Sequence, residues 1–458
     1  MATATTTLTE ASEVNLQATT TVPDTSPPND NFDIQDGAEP STTQKLDGPT
    51  ILKLLSAGFS FFVAGVNDGS IGALIPYVIR SYGITTAVVS SLYAASLTGW
   101  VFAAATNTHL SERLGLGAML ALGAATQTLA QALRSWPTPP FGLYVTTFFL
   151  TSVGQAFQDS HANTYVASRQ GTTAVHRWLG FIHAMYMAGC LVGPFAGNGI
   201  ASSVRGESGE SRWYLFYTVP LALGVANLAL VAVAFRDSMG FVKKKAQVTV
   251  PGQAEGEGQE KRSAKELIKA TLTERSVWLL SLFFFFYLGT VVTAGGWVVE
   301  YLVDARGGTL AQMGYVPAGF SGGCLLGRVL LPEPTHRLGE RRMILLYCVL
   351  CMACQIVFWL VPNIVAASVA ISFLGFFSGP FFATAISVGT RIFPASISTT
   401  AVSFVFVFAQ MGGSLFPIVT GVLGAHVGVK VLQPMLVGLI AATGISWLLV
   451  PQPQSKTE

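Results

Sequence analysis

Apolar segments of about 20 residues, long enough to cross a lipid bilayer, recur from residue 51 almost to residue 450 of this 458-residue chain. The segments are continuously apolar, which favours helices over the alternating strands of a membrane barrel. Only 11% of the residues are charged, less than half of the roughly 25% found in soluble domains. The sequence therefore predicts an all-α integral membrane protein.

Twelve membrane spans are predicted, with one long polar connection between the sixth and the seventh. The spans form two six-helix bundles, and their ranges are 52–79, 86–106, 114–134, 141–166, 176–202, 212–235, 276–303, 315–331, 342–361, 363–387, 396–424 and 428–450. The predicted domains are a disordered cytoplasmic tail at 1–49, an N-terminal bundle at 50–236, a cytoplasmic linker at 237–275 that ends in an amphipathic helix at 264–274, a C-terminal bundle at 276–450 and a cytoplasmic tail at 451–458.

Lysine and arginine predict the orientation of the chain, because loops on the cytoplasmic side are enriched in both. If both termini are cytoplasmic, all but six of the 26 basic residues lie on the inner side; the six are Arg80, Arg134, Arg205, Arg212, Arg306 and Lys430. We therefore predict a monomeric multi-pass protein of the plasma membrane with both ends in the cytoplasm. A net charge of +2 gives no indication of nucleic-acid binding.

The two halves share a register, in which "SERLG" ending at Gly115 lies over "THRLG" ending at Gly339. The same offset carries Gly189, Gly193 and Gly197 of the fifth span onto Gly413, Pro417 and Gly421. Small residues at this spacing let helices approach closely in lipid. Parallel six-helix repeats indicate a transporter with a site at the membrane midplane.

Two acidic residues, Asp68 and Asp159, are predicted to lie deep in the first and fourth spans. Their counterparts in the repeat, Val292 and Ala383, are apolar. A carboxylate at the bilayer centre costs about 3 kcal/mol on insertion scales, so it needs a wet cavity, a cation or a proton. No lysine or arginine is predicted at the same depth. We therefore expect both acids to exchange protons in a central cavity, the alternative being structural hydrogen bonds to nearby amides.

Polar residues near these acids are candidates for binding a substrate. Asn67, Gln158, His161 and Asn163 are predicted to complete a polar cluster, in which Asn163 shares a helix face with Asp159. His161 is turned away by about 200°, which favours packing against another helix.

Spans five and seven supply further candidates. His183 and Tyr186 share a face of the fifth span, where they serve as a proton relay and substrate contacts or as a helix-packing pair. Trp297 follows two glycines in the seventh span and is predicted either to form an aromatic wall or to lie at the membrane interface. Glu300 is expected to be a gate or rim residue.

Several other functional classes lack their signatures. Cys348, Cys351 and Cys354 form one helical stripe, but nothing nearby supplies a fourth metal ligand, so they are expected to pack between helices. The sequence contains neither a P-loop nor a nucleophile elbow. We therefore predict no enzymatic activity, no cofactor and no metal site.

Several motifs carry a resemblance to the major facilitator superfamily. "LSERLG" and "THRLGER" resemble its loop motif between helices two and three and the repeat of that motif, and "AGCLVGPFAG" is similar to its Gly-Pro motif in helix five. "GVNDGSIGALIP", "FQDSHAN" and "GGWVVEYL" look like a fungal group related to the fucose:proton symporters. The resemblance implies the major facilitator fold, and proton and substrate handling by Asp68 and Asp159. Val291 stands where that group often carries a Glu, which puts a sugar substrate in doubt.

Glu112 and Arg113 occupy the acidic and basic positions of the loop motif. They are expected to latch the loop in one transport state, the alternative for Arg113 being an anchoring charge on the cytoplasmic side.

The predicted function is secondary transport of a small organic solute by alternating access, coupled to protons through Asp68 and Asp159, with Asn67, Asn163, His183, Tyr186 and Trp297 at the substrate. Export of a fungal secondary metabolite is favoured slightly over proton-linked import of a sugar-like solute. A non-transporting membrane sensor is disfavoured, because only a short tail follows the last span.

Overall fold

A computed structural model describes residues 47–168, 172–203, 206, 209–241, 264–394 and 396–451. This part of the chain forms twelve long helices in two six-helix bundles. The first bundle contains α1 (Gly48–Tyr82), α2 (Ser91–Ser111), α3 (Leu116–Arg134), α4 (Phe141–Ala167), α5 (Thr172–Ser203) and α6 (Thr218–Ala234). The second contains α7 (Arg275–Asp304), α8 (Val316–Leu330), α9 (Glu340–Leu360), α10 (Ile364–Ile392), α11 (Ser398–Val427) and α12 (Leu432–Leu449).

Each predicted span coincides with one of these helices. A short helix at Ala264–Thr273 occupies the place of the predicted amphipathic helix. Most of the predicted linker and tails, at residues 1–46, 242–263 and 452–458, lies outside the described residues. The fold is therefore all-α, as the sequence predicts, and the domain boundaries at the tails and linker stay predictions.

Ten helical segments of the described chain are long and apolar enough to cross a membrane. The other two helices, α4 and α8, depart from this pattern for different reasons. α4 has 27 residues but carries amide, acidic and imidazole side chains between residues 155 and 163. α8 has only 15 residues, about 22 Å at 1.5 Å per residue. α4 carries Asp159 and α8 carries Arg328, two of the charged groups described in the next section.

Backbone contact between α1 and α5 explains the glycine stripe of the fifth span. A Cβ at Gly189 would lie 2.1 Å from the carbonyl oxygen of Phe62, and one at Gly193 would lie 2.4 Å from that of Val66. Here the predicted close helix packing is confirmed. In the second bundle, α11 approaches α7 at Gly412, one residue before Gly413, the repeat counterpart of Gly189. A Cβ at Gly412 would lie 2.0 Å from the carbonyl oxygen of Phe285.

The repeat register holds for most helices and fails at the last pair. The first residues of α3 and α9, Leu116 and Glu340, have the same separation as the motif glycines Gly115 and Gly339. The last residues of α6 and α12, Ala234 and Leu449, are closer together in the chain than this register requires. The reason is that α11 is followed almost directly by a 3-10 turn at Val429–Val431, whereas α5 ends well before the corresponding turn at Trp213–Tyr217.

The bundles are joined at one face of the membrane domain. We call the face where α1 begins and α12 ends the terminal face, and the other the opposite face. At the opposite face, Arg80 lies 3.5 Å from Glu300 and 3.6 Å from Asp304, Thr86 donates to the Gly421 carbonyl at 2.8 Å, and Asn198 donates to that of Ala311 at 2.7 Å. These contacts close the gap between the bundles on that side.

The closure continues along α1 to Gly72, roughly 15 Å from the last residue of that helix. A Cβ there would lie 1.9 Å from the carbonyl oxygen of Gly295, so α1 and α7 touch backbone to backbone. Arg328 donates to the His183 carbonyl at 3.5 Å. Among the described residues, this is the hydrogen bond between the bundles that lies nearest the terminal face. The structure is thus sealed from Gly72 to the opposite face.

Gly72→Ala tests this seal. The added methyl group must push α1 away from α7, and overpacking of this kind costs about 1–3 kcal/mol. We expect a clear drop in the midpoint of thermal unfolding of the purified protein in detergent.

The matched control is Gly438→Ala in α12, where an added Cβ has nothing within 4 Å. Alanine favours a helix over glycine by about 1 kcal/mol, so this midpoint should stay or rise. Equal midpoints for the two variants would contradict the backbone contact.

Candidate functional site

Asp68 lies on α1 and accepts three hydrogen bonds. Its Oδ1 accepts from Asn67 Nδ2 at 2.9 Å, and its Oδ2 accepts from Gln155 Nε2 at 2.7 Å and from the Tyr186 hydroxyl at 2.9 Å. Three helices, α1, α4 and α5, thus converge on one partly exposed carboxylate. Asp68 precedes Gly72 by one helical turn, so it lies directly beneath the seal between α1 and α7.

Arg134 is connected to this carboxylate through Asn67. Its guanidinium donates to Asn67 Oδ1 at 2.7 Å, to Thr147 at 2.6 Å and to Thr151 at 2.9 Å, and it lies 3.9 Å from the ring centre of Phe148. A guanidinium has donors only. The Asn67 oxygen must therefore face Arg134, which leaves the Asn67 NH₂ group to face Asp68.

The placement of Arg134 corrects one prediction. From the sequence, no cation is predicted at the depth of the acids. This prediction is wrong, because Arg134 is 0% exposed and one side chain away from Asp68. The signal was present in α3, where Gln127, Gln131 and Arg134 follow helical spacing on one face. Gln131 also donates to Asn67 Oδ1, at 2.9 Å.

Asp159 lies one helical turn beyond Gln155 on α4, toward the terminal face. Residues at this spacing share a helix face, with Cβ atoms about 5–6 Å apart. Asp159 therefore lies on the same face of α4 as Gln155, whose side chain reaches Asp68. The two acids interact electrostatically, and Tyr186 interacts with both. Asn163 donates to the Asp159 backbone carbonyl at 2.9 Å. The structure therefore brings Asp68, Asp159, Asn67 and Tyr186 into one neighbourhood, with Asn163 at its edge.

Two residues of the predicted polar cluster belong elsewhere. Gln158 accepts from Gln127 at 2.7 Å and contacts Ser60 and Asn227, which forms a separate buried network inside the first bundle. His161 contacts Asn107 of α2 at 3.0 Å. The predicted role of His161 in helix packing agrees with this contact, whereas the inclusion of Gln158 beside Asp68 is wrong.

His183 and Arg328 lie across the gap from one another. The His183 ring packs against Phe61 of its own bundle, at 5.4 Å between ring centres, and against Phe382 of the other bundle, at 5.2 Å. The predicted pair with Tyr186 is therefore split: Tyr186 reaches the Asp68 carboxylate and His183 reaches the second bundle. From the sequence, Arg328 is only one of the basic residues on the inner side.

Trp297 and Glu300 lie in the sealed region. Trp297 is 3% exposed; its indole nitrogen donates to the Pro417 carbonyl at 3.0 Å, and its ring lies 6.4 Å from that of Tyr93. A position at the membrane interface is therefore wrong for Trp297. Glu300 is 4% exposed and faces Arg80 across the gap, which is the location expected of a gate residue.

A cavity of about 530 Å³ contains none of these residues. It lies in the second bundle alone and is lined by Gln312, Met313 and side chains of α10 between Ile364 and Phe373. Within the described residues, no group of three His, Cys, Asp or Glu side chains could hold a metal ion. Cys351 instead contacts the Leu374 carbonyl at 3.6 Å.

The sequence profile of the Major Facilitator Superfamily matches residues 57–417. The chain belongs to this superfamily. It is therefore a membrane transporter and not an enzyme. Among curated proteins, it is 26% identical over 424 residues to "Bypass of stop codon protein 6" of Saccharomyces cerevisiae, with 88% of this chain and 82% of that protein covered.

Solved structures of transporters share the fold at low sequence identity. A D-xylose–proton symporter has a TM-score of 0.66 at 15% identity, with 89% of this chain and 99% of the symporter covered. A bacterial homologue of the human lysosomal transporter Spinster, inward-facing, has a TM-score of 0.64 at 13% identity (88% and 95% covered). The transporter FucP, in its outward conformation, has a TM-score of 0.62 at 17% identity (88% and 100% covered).

The superfamily loop motif lies at the terminal face of this transporter. Glu112 and Arg113 are both exposed there, and neither side chain makes a hydrogen bond or ion pair with the second bundle among the described residues. The neighbouring backbone is held instead by the linker, since Gly115 donates to the Gly240 carbonyl at 2.9 Å. A latch formed by Glu112 and Arg113 stays a prediction for another transport state.

Arg134→Met tests the electrostatic connection to Asp68. The variant removes the cation that offsets an ionised Asp68, and a polar group left without its partner costs about 1–3 kcal/mol. Because the carboxylate is ionised more fully at higher pH, we expect the midpoint of thermal unfolding to fall more at alkaline than at acid pH.

Arg113→Met is the control, since this arginine lies exposed in a loop. Its midpoint should follow the unmodified protein at both pH values. A loss at Arg134→Met that is the same at acid and alkaline pH would indicate a packing defect alone and would refute the charge coupling.

Proposed function

We propose that this superfamily member is a proton-coupled secondary transporter of a small organic solute. Asp68 and Asp159 carry the protons, and the solute binds between the bundles among Asn67, Asn163, His183, Tyr186 and Trp297. The observation that carries the proposal is the Asp68 carboxylate, partly exposed beside the gap and held by donors from three helices beneath a sealed face.

The chemistry of the three donors suits reversible protonation of Asp68. The amide nitrogens of Asn67 and Gln155 can only donate, whereas a tyrosine hydroxyl can donate or accept. When Asp68 takes up a proton, Tyr186 can therefore rotate its hydroxyl and accept from Oδ2. The amide of Asn67 keeps its orientation through Arg134. Tyr186 thus serves both charge states of the acid, which is what a proton carrier requires.

Alternating access supplies the direction of the cycle. With the opposite face sealed, a solute and a proton reach the acids only from the terminal face, and Asp159 lies on that side of Asp68. Neutralising the carboxylates removes the cost of carrying bare charges through an occluded state. In the reverse state, the Arg80–Glu300 contact breaks and the loop of Glu112 and Arg113 latches the terminal face.

We propose that the terminal face is cytoplasmic, in the plasma membrane, because the basic loops lie there. Export of an organic metabolite then starts from the state described. Val291 supports export over import of a sugar-like solute, since the carboxylate that the fungal fucose-symporter-related group often carries there is missing. Import by proton symport is the second candidate, favoured by the D-xylose–proton symporter among the structural relatives.

Asp68→Asn tests the proton coupling. The amide keeps the size of the side chain but takes up no proton, so we expect pH-driven accumulation to be lost while the protein stays folded in the membrane. The measurement is uptake and efflux of candidate metabolites in cells with and without the protein, at two external pH values.

Glu333→Gln is the matched control, because this acid lies exposed at the terminal face in an ion pair with Arg337. It should transport as the unmodified protein does. Flux that ignores pH in the unmodified protein, or full accumulation by Asp68→Asn, would sink the proton-coupling proposal.

A further inference from the structure

Arg328 is a cation inside the membrane domain with no acidic partner among the described residues. Its Nε atom is buried without a hydrogen bond, and its Nη1 reaches the His183 carbonyl only at 3.5 Å. The side chains near its charge are those of His183, Tyr287, Cys190 and Cys324, none of which is acidic like Asp or Glu. The Tyr287 hydroxyl is within hydrogen-bond reach of Arg328. Arg328 lies in the last turn of α8, toward the terminal face. Charged side chains that face the interior of a membrane bundle are rare and mark substrate pathways.

Two arginines of the second bundle have the acidic partner that Arg328 lacks. Arg391 contacts Glu340, and Arg337 contacts Glu333 at 2.6 Å. These two ion pairs lie at the terminal face. Arg328 differs from both arginines in having no carboxylate partner among the described residues.

The side chain of Arg328 points into the gap rather than out to the membrane surface. Its contact on α5, His183, lies well inside that helix, roughly 16 Å along the axis from the first residue. Its guanidinium also lies 5.6 Å from the ring centre of Phe382. A snorkelling arginine would extend the other way, toward the lipid headgroups.

Arg328 and Asp68 contact α5 at two positions that lie close together. His183, which receives Arg328, and Tyr186, which donates to Asp68, are separated by about 4.5 Å along the helix. The gap thus has a cationic wall on the second bundle and a proton-exchanging acid on the first. A solute between them meets both within one helical turn.

We propose that the transported solute is an organic acid whose carboxylate binds the free Nε–Nη edge of Arg328. This edge presents two parallel N–H donors, the geometry that binds a carboxylate in a bidentate manner. The bound anion neutralises Arg328 while protons neutralise Asp68 and Asp159. The loaded transporter therefore passes through the occluded state without an unpaired charge at the site. The inference rests on the transport function proposed above and names its substrate class.

The experiment uses the full-length protein in proteoliposomes with an imposed pH gradient of either polarity. The probe is a small-molecule extract of the source organism, cells and medium together, separated by ion exchange into anionic, neutral and cationic fractions. Solutes taken up from each fraction are identified by mass spectrometry. We expect the unmodified protein to accumulate solutes from the anionic fraction, in competition with simple carboxylates and not with inorganic phosphate.

Variants of Arg328 define the binding residue. Arg328→Gln should lower accumulation at least about thirtyfold, as expected when a buried charge pair loses one member. Arg328→Lys keeps the charge but not the two-pronged geometry and should retain part of the activity. Arg342→Gln changes an exposed arginine at the terminal face that lies outside the loop motif, and it should leave accumulation unchanged.

The outcomes separate the inference from the proposed function. Accumulation only from the neutral or cationic fraction, displacement by phosphate alone, or full activity of Arg328→Gln overturns the organic-acid inference and leaves proton-coupled transport intact. No accumulation from any fraction by the unmodified protein overturns transport and the inference together. Identifying the fraction that supplies the solute requires only the unmodified protein. The inference therefore stays testable even if Arg328→Gln fails to fold.

Discussion

A carboxylate held inside a membrane domain is the constraint on which this structure depends. Asp68 is retained there by donors from three helices, and each donor is placed by a further contact. The close approach of α1 and α5 at Gly189 brings Tyr186 within reach, and α4 brings Gln155. Arg134 fixes the orientation of the Asn67 amide. Helix packing and the position of the acid are therefore two aspects of one arrangement.

The two bundles share an architecture but divide the charges unequally. The first bundle contains Asp68, Asp159 and the buried Arg134, whereas the positions equivalent to the two acids in the second bundle are Val292 and Ala383. The second bundle presents aromatic rings and Arg328, which has no acidic partner among the described residues. This asymmetry suits a site where one wall exchanges protons and the other binds a solute, and the sealed opposite face makes that site accessible from one side at a time.

The sequence predicted the helices well because hydropathy averaged over a whole span depends little on tertiary packing. It also pointed to Asp68, Asp159 and Tyr186, whose polar side chains stand out in apolar spans and which the folded chain brings together; their roles stay predictions. It misplaced Arg134, because a charge at the end of a span resembles a loop residue until the neighbouring helix is known. The interface alternative for Trp297 and the place of Gln158 failed for a similar reason, since both depend on which helix lies opposite.

The polar stripe of α3 shows what the sequence could still have revealed. Gln127, Gln131 and Arg134 recur at helical spacing in an apolar span, which indicates a face turned toward the bundle interior. No such pattern identifies Arg328, because its significance lies in the lack of an acidic partner across a gap between bundles. That fact exists only in the folded chain.

The central claim is that Asp68 and Asp159 take up and release protons inside the membrane domain. Infrared difference spectroscopy of the purified transporter in lipid, recorded as the pH is stepped, detects the carbonyl stretch of a protonated carboxyl group directly. We expect a band that disappears as the pH rises and that is missing when both residues are replaced by asparagine. A spectrum without any pH-dependent carboxyl band, or the same band in the double variant, would contradict the account.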